Sequence, residues 1–363
     1  MTGIILAIDL AKAKSLFCWY QPSEKTHEHQ QELKTVLSTP QAFHEAFLLR
    51  PVDRVVIEVC DMAGWIVDLC QTLNIPIQVV NVNVEGWRWK NVKNKTDKTD
   101  VLKLARLSAA NDLKLVCLPD RPTRQWRSLI LYRQKLIERR TAVKNSIHAL
   151  LVSEGRAMTG GRDAFSAASI ASLRKLITDG AGDLWSTHLQ MELDSLDHLN
   201  EQIEKLNAKL DAVGERDHRV IRLQTIPGVG PRLSELVVAV IDDPHRFKNA
   251  RQVSAYAGLV PRRYQSGQMD RSGRISKAGC GKLRKLLVEI AWGMLQHNAH
   301  GASVFHRISK GQKTRRKQAA VALARRVLVW CWAMLRDGTD WKEPTRGELV
   351  EPAPNLTATM RVT

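Results

Sequence analysis

Short apolar runs alternate with helix-periodic stretches over the first 110 residues or so. Ile4-Ile5-Leu6-Ala7-Ile8, closed by Asp9, and Val55-Val56-Ile57, followed by Glu58, are runs rich in β-branched residues and bounded by polar ones. They predict buried strands over 4–9 and 54–59. Further strands are expected over 15–20, 75–80 and, more polar, 30–36. Helices are expected over 40–49 and 63–73, and a third opens at Asp97 and is carried by Leu102, Leu104, Ala105 and Leu107. Three strands as a meander, then alternating helix and strand, predict a mixed sheet with helices on its faces.

The rest of the chain reads as helical. A long helix is expected over 122–153, with Arg124, Arg127, Arg133, Lys135, Arg139, Arg140 and Lys144 set among Leu129, Ile130, Leu136, Ile137 and Ile147. A glycine-rich break, Thr159-Gly160-Gly161, precedes a second helical region. There Leu189, Leu193, Leu196, Leu199, Ile203, Leu206 and Leu210 recur at three- and four-residue steps, a coiled-coil seam of about three heptads. The pattern admits pairing within the chain or between chains. A third unit opens with Ile226-Pro227-Gly228-Val229-Gly230-Pro231 and the apolar Leu233, Leu236, Val237 and Val240. It closes with a helix over 314–335, basic at its start and apolar later. The run from Val327 to Leu335, flanked by Arg325, Arg326 and Arg336, falls short of membrane-spanning length and predicts a buried helix. The expected division is therefore 1–120, 121–215 and 216–337, with a poorly ordered Pro- and Thr-rich tail over 338–363.

Charge sharpens this picture. The 363 residues carry a net charge of +18 and a pI near 9.9, but the excess is zoned. Residues 1–100 sum to −1, 101–150 to +8, 151–250 to −3 and 251–363 to +14. So strong a zoning points to a polyanionic partner, nucleic acid. The six cysteines show no Cys-x-x-Cys spacing, which argues against zinc or a disulfide framework and fits a reducing cytosol. No secretory signal is visible, and a cytoplasmic, nucleoid-associated protein without a membrane partner is expected.

Candidate chemistry starts with four carboxylates. Asp9 and Glu58 are costly inside apolar strands unless they meet a cation or a hydrogen-bonding partner. Asp97 and Asp100 share one helix face at a spacing of three. Together they would harbour Mg²⁺ or Mn²⁺, hard cations that take oxygen ligands and leave positions for phosphate. Taken singly, Asp97 and Asp100 also read as helix-start acids complementing the macrodipole. Trp87-Arg88-Trp89-Lys90 and the bases through Lys95 suit either stacking on nucleobases or a Trp pair packed under a loop. Gly228 and Gly230 resemble a helix-hairpin-helix turn offering amides to a DNA phosphate, although Pro-Gly turns also join helices without DNA. Ser266, before Gly267 and ringed by Arg262, Arg263, Arg271, Arg274 and Lys277, reads either as a Ser-Gly turn in a basic loop or as an exposed nucleophile toward phosphate. Arg133, Arg139 and Arg140 complete the candidate nucleic-acid contacts.

Taken together, Asn94-Lys95-Thr96-Asp97-Lys98-Thr99-Asp100, Ile226-Pro227-Gly228-Val229-Gly230, Ala257-Gly258-Leu259-Val260-Pro261 leading into Ser266-Gly267, and Ile275-Ser276-Lys277-Ala278-Gly279 with Leu283-Arg284 resemble the DEDD-type transposases of bacterial insertion sequences, the IS-one-ten and IS-one-eleven-eleven group. The resemblance runs from Ile8-Asp9-Leu10 to about Gly338. It implies an N-terminal RuvC-like domain of ribonuclease-H topology, a helical coiled-coil connection and a mostly helical C-terminal transposase domain. It further implies Mg²⁺ on Asp9, Glu58, Asp97 and Asp100, and Ser266 as the nucleophile that becomes covalently linked to DNA. The partners it implies are donor and target DNA, a structured non-coding guide RNA (bridge RNA), and further copies of the chain, as a dimer and as a tetramer in the synaptic complex. Val59-Cys60-Asp61 and Cys280 depart from the common pattern. A RuvC-like, structure-specific nuclease using the same carboxylates without the serine is the alternative.

Overall fold

The computed structural model describes residues 3–22, 30–81, 96–156, 161–180, 183–266 and 269–343, which divide into two compact units, 1–124 and 125–363. The tryptophan-and-base stretch 87–95, Thr159-Gly160, Gly267 and the tail beyond 343 lie outside the described residues.

The first unit is built on a five-stranded sheet. Its strands are β1 (Ile5–Asp9), β2 (Lys14–Gln21), β3 (Gln30–Leu37), β4 (Arg54–Glu58) and β5 (Ile77–Val80), in the order β3-β2-β1-β4-β5. β1, β2 and β3 form the expected antiparallel meander, whereas β4 runs parallel to β1 and β5 parallel to β4. Parallel neighbours need a crossover, and α2 (Ala63–Thr72) supplies it between β4 and β5. β5 is shorter than the 75–80 expected, because Asn74 takes a left-handed turn at φ 54 and Pro76 follows.

Alternation along these strands fills both faces. One face sets Leu6, Ile8, Phe17, Trp19, Val55 and Ile57 against Phe43 and Phe47 of α1 (Pro40–Leu48) and Ile66 of α2. The other sets Ile5, Ala7, Cys18, Tyr20, Val56 and Val80 against Val101, Leu104 and Ala105 of α3 (Asp97–Ala109). Each of the Val, Leu, Ile and Phe side chains among these, once buried, contributes about 1.5–3 kcal/mol. Burial also pushes the Cys18 thiol up to about 11 and the Cys70 thiol up to about 12, so both behave as inert apolar filling.

In the second unit the long helix α4 (Arg121–Ser153) pairs with α6 (Leu184–Gly214). Arg133 Nε donates to Asn207 Oδ1 at 2.5 Å, Arg140 Nη1 to Asn200 Oδ1 at 3.3 Å, and Ser146 Oγ to Glu192 Oε1 at 2.6 Å. Those partners descend as the donors ascend, so the pair is antiparallel. The leucine seam is thus used within the chain: Leu189, Leu193 and Leu196 pack on Ile147 and Leu151, with Leu173 of α5 (Ala167–Asp179). A separate core gathers α7 (His218–Gln224), α8 (Pro231–Ile241), α9 (Ala250–Tyr256), α10 (Gly281–His297), α11 (Ala299–Ser309) and α12 (Arg316–Asp337). By length and composition α12 is apolar enough to cross a membrane. Its Leu323, Val327, Leu328, Cys331 and Trp332 are nevertheless buried in that core, and Trp332 Nε1 donates to Pro244 O at 2.8 Å.

Residues 261–275, expected as a basic loop, form instead an antiparallel ribbon of β6 (Pro261–Ser266) and β7 (Met269–Ile275). Nearly every residue of it is exposed. With no buried face there is no apolar alternation for the sequence to display.

Candidate functional site

Asp9 and Glu58 stand at the ends of neighbouring parallel strands, one step beyond the paired Ile8 and Ile57. Side chains two residues apart share a face. Asp9 therefore follows Ile5 and Ala7, and Glu58 follows Val56, onto the face that α3 covers. On α3, Asp97 lies one turn before Val101 and Asp100 one turn before Leu104, both of which are buried against that face.

Both ends of α3 are fixed. At its start Thr96 Oγ1 accepts from Thr99 N at 3.3 Å while Thr99 Oγ1 accepts from Thr96 N at 3.2 Å, a reciprocal cap. At its end Arg54 of β4 donates from Nε to Ser108 Oγ at 2.9 Å, and that hydroxyl donates to Gln78 Oε1 of β5 at 2.7 Å. The turn after Asp9 is held likewise: buried Ser15 Oγ accepts from Ala11 N at 3.2 Å and meets Ser38 Oγ at 2.8 Å. Arg54, Gln78, Ser108, Ser15 and Ser38 carried no signal in the sequence, because their partners are distant along the chain.

The structure thus brings the four carboxylates to one end and one face of the sheet. Asp9 and Asp97 line a single cavity of about 440 Å³ with Lys14 and Lys98. Glu58 and Asp100 are half-buried and are not among its lining residues. Among the described residues, no three acidic, His or Cys side chains stand close enough to hold a metal ion as they are. The donor set is all carboxylate, which suits a hard cation. Asp61, next along from Cys60, is exposed.

Ser266 ends β6 at the tip of the exposed ribbon, paired with Met269. Its face of the ribbon carries Arg262 and Tyr264 and, across the ladder, Arg271. The basic residues around it are not equivalent. Arg263 is locked to Asp270 by two hydrogen bonds, Nε to Oδ1 at 2.8 Å and Nη2 to Oδ2 at 2.6 Å, which hold the Asp270 carboxyl below the usual carboxylate range. Arg262 Nη2 reaches Ser276 O at 3.3 Å. Arg271, Arg274 and Lys277 are exposed.

The ribbon is rooted by a crossing of its two feet. Gly258 (φ 68) and Gly279 (φ 65) both lie in the left-handed region, and a Cβ on either would collide with backbone: Ala278 for Gly258, Tyr256 O for Gly279. Ser276 N donates to Val260 O at 2.8 Å, Lys277 N to Gly258 O at 3.2 Å and Arg284 Nη1 to Ala257 O at 3.1 Å. Gly258→Ala or Gly279→Ala is expected to cost about 3 kcal/mol or more through strain and collision. That corresponds to a fall in melting temperature of roughly 6–12 °C for a unit of this size. Gly230→Ala, where nothing lies within 4 Å of a new Cβ, is the control and is expected to stay within about 1 kcal/mol. Differential scanning calorimetry on the three variants checks this.

Gly228 (φ 91) and extended Gly230 form the turn between α7 and α8. Buried Asn298 braces it, donating from Nδ2 to Pro227 O at 3.2 Å while Oδ1 accepts from Gly301 N at 2.7 Å. Of the candidate bases on α4, Arg139 is exposed, whereas Arg133 and Arg140 are engaged by the asparagines of α6. Near Arg133, the fully buried Glu235 of α8 faces Arg232 at 3.1 Å; burial pushes its carboxyl up and Arg232 and Arg133 oppose that.

Residues 6–154, which hold the four carboxylates, match a DEDD transposase family model described as "Transposase". Residues 221–307, which hold Ser266, match the model described as "Transposase IS116/IS110/IS902 family". The transposase for insertion sequence element IS1111A of Coxiella burnetii is 30% identical, over 77% of this chain and 77% of that protein. The putative transposase y4rJ of Sinorhizobium fredii is 28% identical over 93% and 92%. The pilin gene-inverting protein of Moraxella bovis is 28% identical over 68% and 67%.

Proposed function

This chain belongs to the IS116/IS110/IS902 family of insertion-sequence transposases and is a DNA transposase, and from that premise we propose that it recombines DNA through a phosphoserine intermediate on Ser266, directed by a guide RNA. The observation that carries the reading is the placement of Ser266, an exposed hydroxyl at the tip of a basic ribbon whose feet are clamped by backbone.

In this reading Ser266 Oγ gives up its proton and bonds the phosphorus of a DNA phosphodiester, the bridging P–O bond of the strand breaks, and the departing oxygen takes up a proton as a free hydroxyl end. A hydroxyl end from the partner strand then attacks the same phosphorus and returns Ser266 to its starting state. The bond energy stays in the ester, so rejoining needs no ATP. Arg271, on the serine's face and exposed, balances charge on the phosphoryl oxygens.

The strand order β3-β2-β1-β4-β5, an antiparallel meander joined to parallel strands, supports a RuvC-like, ribonuclease-H topology for the first unit. Asp9, Glu58, Asp97 and Asp100 would hold the divalent cation that family membership suggests, Mg²⁺ with Mn²⁺ as a substitute. Bound there, it supplies charge neutralisation at a DNA phosphate. Lys14 and Lys98 hold the backbone beside those carboxylates. The turn at Gly228 and Gly230 contributes amides to a further phosphate, and exposed Arg139 on α4 adds a contact. Donor and target DNA, guide RNA and other copies of the chain, as a dimer and a synaptic tetramer, are the partners of this reading. The gene-inverting relative supports recombination rather than plain cleavage.

The test of guidance is retargeting. Recombination between two plasmid sites is expected to require the RNA transcribed from the element's non-coding end. Changing the segment that pairs with the target should move insertion to the newly complementary site. Unchanged insertion with the RNA omitted would remove guidance from this reading.

A further inference from the structure

A second site lies at the root of the ribbon, away from its serine-bearing tip. A cavity of about 840 Å³ opens between β7 and α12, within the size range of small-molecule and cofactor pockets. Its apolar lining is Leu259, Pro261 and Ile275 from the ribbon's feet and Val321 and Ala322 from α12. Its charged lining is Arg274, Lys277, Lys317 and Arg325, all exposed, and no carboxylate is among the described residues that line it. Lys277 sits at φ 58. For a residue other than glycine that is a costly conformation, of the kind retained where surrounding structure imposes it; here the Lys277–Gly258 backbone bond does so.

An apolar floor with an all-cationic rim selects a ligand that is flat and apolar on one part and anionic on another. Bases inside a duplex are stacked and cannot reach such a floor, whereas an unstacked nucleotide offers its base face to the floor and its phosphates to the rim. The cavity is reached from Ser266 along the ribbon: Ser272, which lines it, pairs with Arg263, three residues from the serine, a span of about 10 Å.

We propose that this cavity is a single-stranded DNA subsite, in which one unstacked base of the strand attached to the attacked phosphate rests on Pro261, Ile275 and Val321 while Arg274, Lys277, Lys317 and Arg325 hold its flanking phosphates. The proposal rests on the reading that Ser266 acts on DNA. It makes the ribbon a ruler: the distance from clamp to serine fixes which phosphate is presented.

The experiment uses the full chain and fluorescein-labelled oligothymidine, the same length of oligothymidine carrying abasic residues, a duplex, and oligouridine. Lys317→Ala with Arg325→Ala removes two exposed cations and is expected to weaken oligothymidine binding about 10-fold or more. It should also flatten the dependence of log affinity on log salt by about 1.4, at ~0.7 per cation on a single strand. Duplex affinity is expected to fall by less than single-strand affinity, because a stacked base cannot reach the floor and the duplex loses only phosphate contacts. Wild type should prefer oligothymidine to its abasic form, and Val321→Glu, which places a carboxylate on the floor, should abolish that preference. Melting temperatures of the variants establish folding, and Val321→Gln repeats the floor test without charge. Equal loss on single strand and duplex, or unchanged binding by both variants, overturns the subsite; oligouridine bound more tightly and lost in parallel overturns the assignment to DNA. Formation of the Ser266 adduct by wild type is scored alongside, so loss of the subsite with the adduct intact separates this inference from the serine reading.

Discussion

Ser266→Ala protein is expected to form no covalent adduct with DNA and to lose strand exchange by roughly 10⁴-fold or more, as removal of a covalent nucleophile does elsewhere. A methyl group has no lone pair with which to attack phosphorus. The substitution should not disturb the fold, because Ser266 is exposed at a ribbon tip and its pairing with Met269 is a backbone matter; an effect within about 0.5 kcal/mol is usual for such a site. Nucleic-acid binding should also persist, since the cations remain. Wild type incubated with guide RNA, cognate DNA and Mg²⁺ should give a species that survives denaturation and migrates as protein plus DNA, with the linkage mapped to Ser266 by mass spectrometry. Ser266→Cys retains a nucleophile of different size and metal preference and is expected to keep only a trace of activity. Normal recombination by Ser266→Ala, or an adduct mapped to another residue, would sink the assignment. Hydrolysed ends with no adduct would identify a nuclease that uses the carboxylates alone.

The second large effect belongs to the carboxylates. Asp9→Asn, Glu58→Gln and Asp100→Asn keep shape while removing charge, so each should leave the sheet packed and guide-RNA binding unchanged. A metal-bound phosphate gains several kcal/mol of charge stabilisation, so loss of one ligand is expected to lower recombination on the order of 10³-fold. A readout independent of activity accompanies this: Mg²⁺ or Mn²⁺ should raise the melting temperature of wild type, by preferential binding to the folded state, and of the three variants far less. Full recombination in EDTA would exclude the cation from the reaction.

Much of the first unit was legible in the sequence because its strands are buried. Ile4–Ile8 and Val55–Ile57 are apolar on both faces, and a carboxylate ending each run is conspicuous by its cost. The seam from Leu189 to Leu210 was legible for the same reason, though not its partner: a heptad pattern specifies a complementary stripe without saying which chain carries it. The α6 asparagines that take Arg133 and Arg140 settle that the stripe meets α4 of the same chain. They also leave Arg139 as the exposed one of three bases that the sequence treated alike.

The ribbon shows the opposite limit. Pro261 to Ile275 has no buried face, so no periodicity announced β6 and β7, and the residues read as a loop. Gly258 and Gly279 were visible only as parts of motifs. Their role, letting two backbones cross where no Cβ fits, exists only once residues 20 or more apart in sequence are in contact. By itself, then, the sequence determined what burial and charge encode locally: the strands, the helices, four candidate carboxylates and a basic C-terminal third. The tertiary structure alone decided which of those residues meet. It brought Asp9, Glu58, Asp97 and Asp100 to one sheet end, tied Arg263 to Asp270, and opened a cationic cavity between β7 and α12. The physical reason is that propensity and hydrophobic period act over a few residues, whereas convergence depends on packing between segments far apart in the chain.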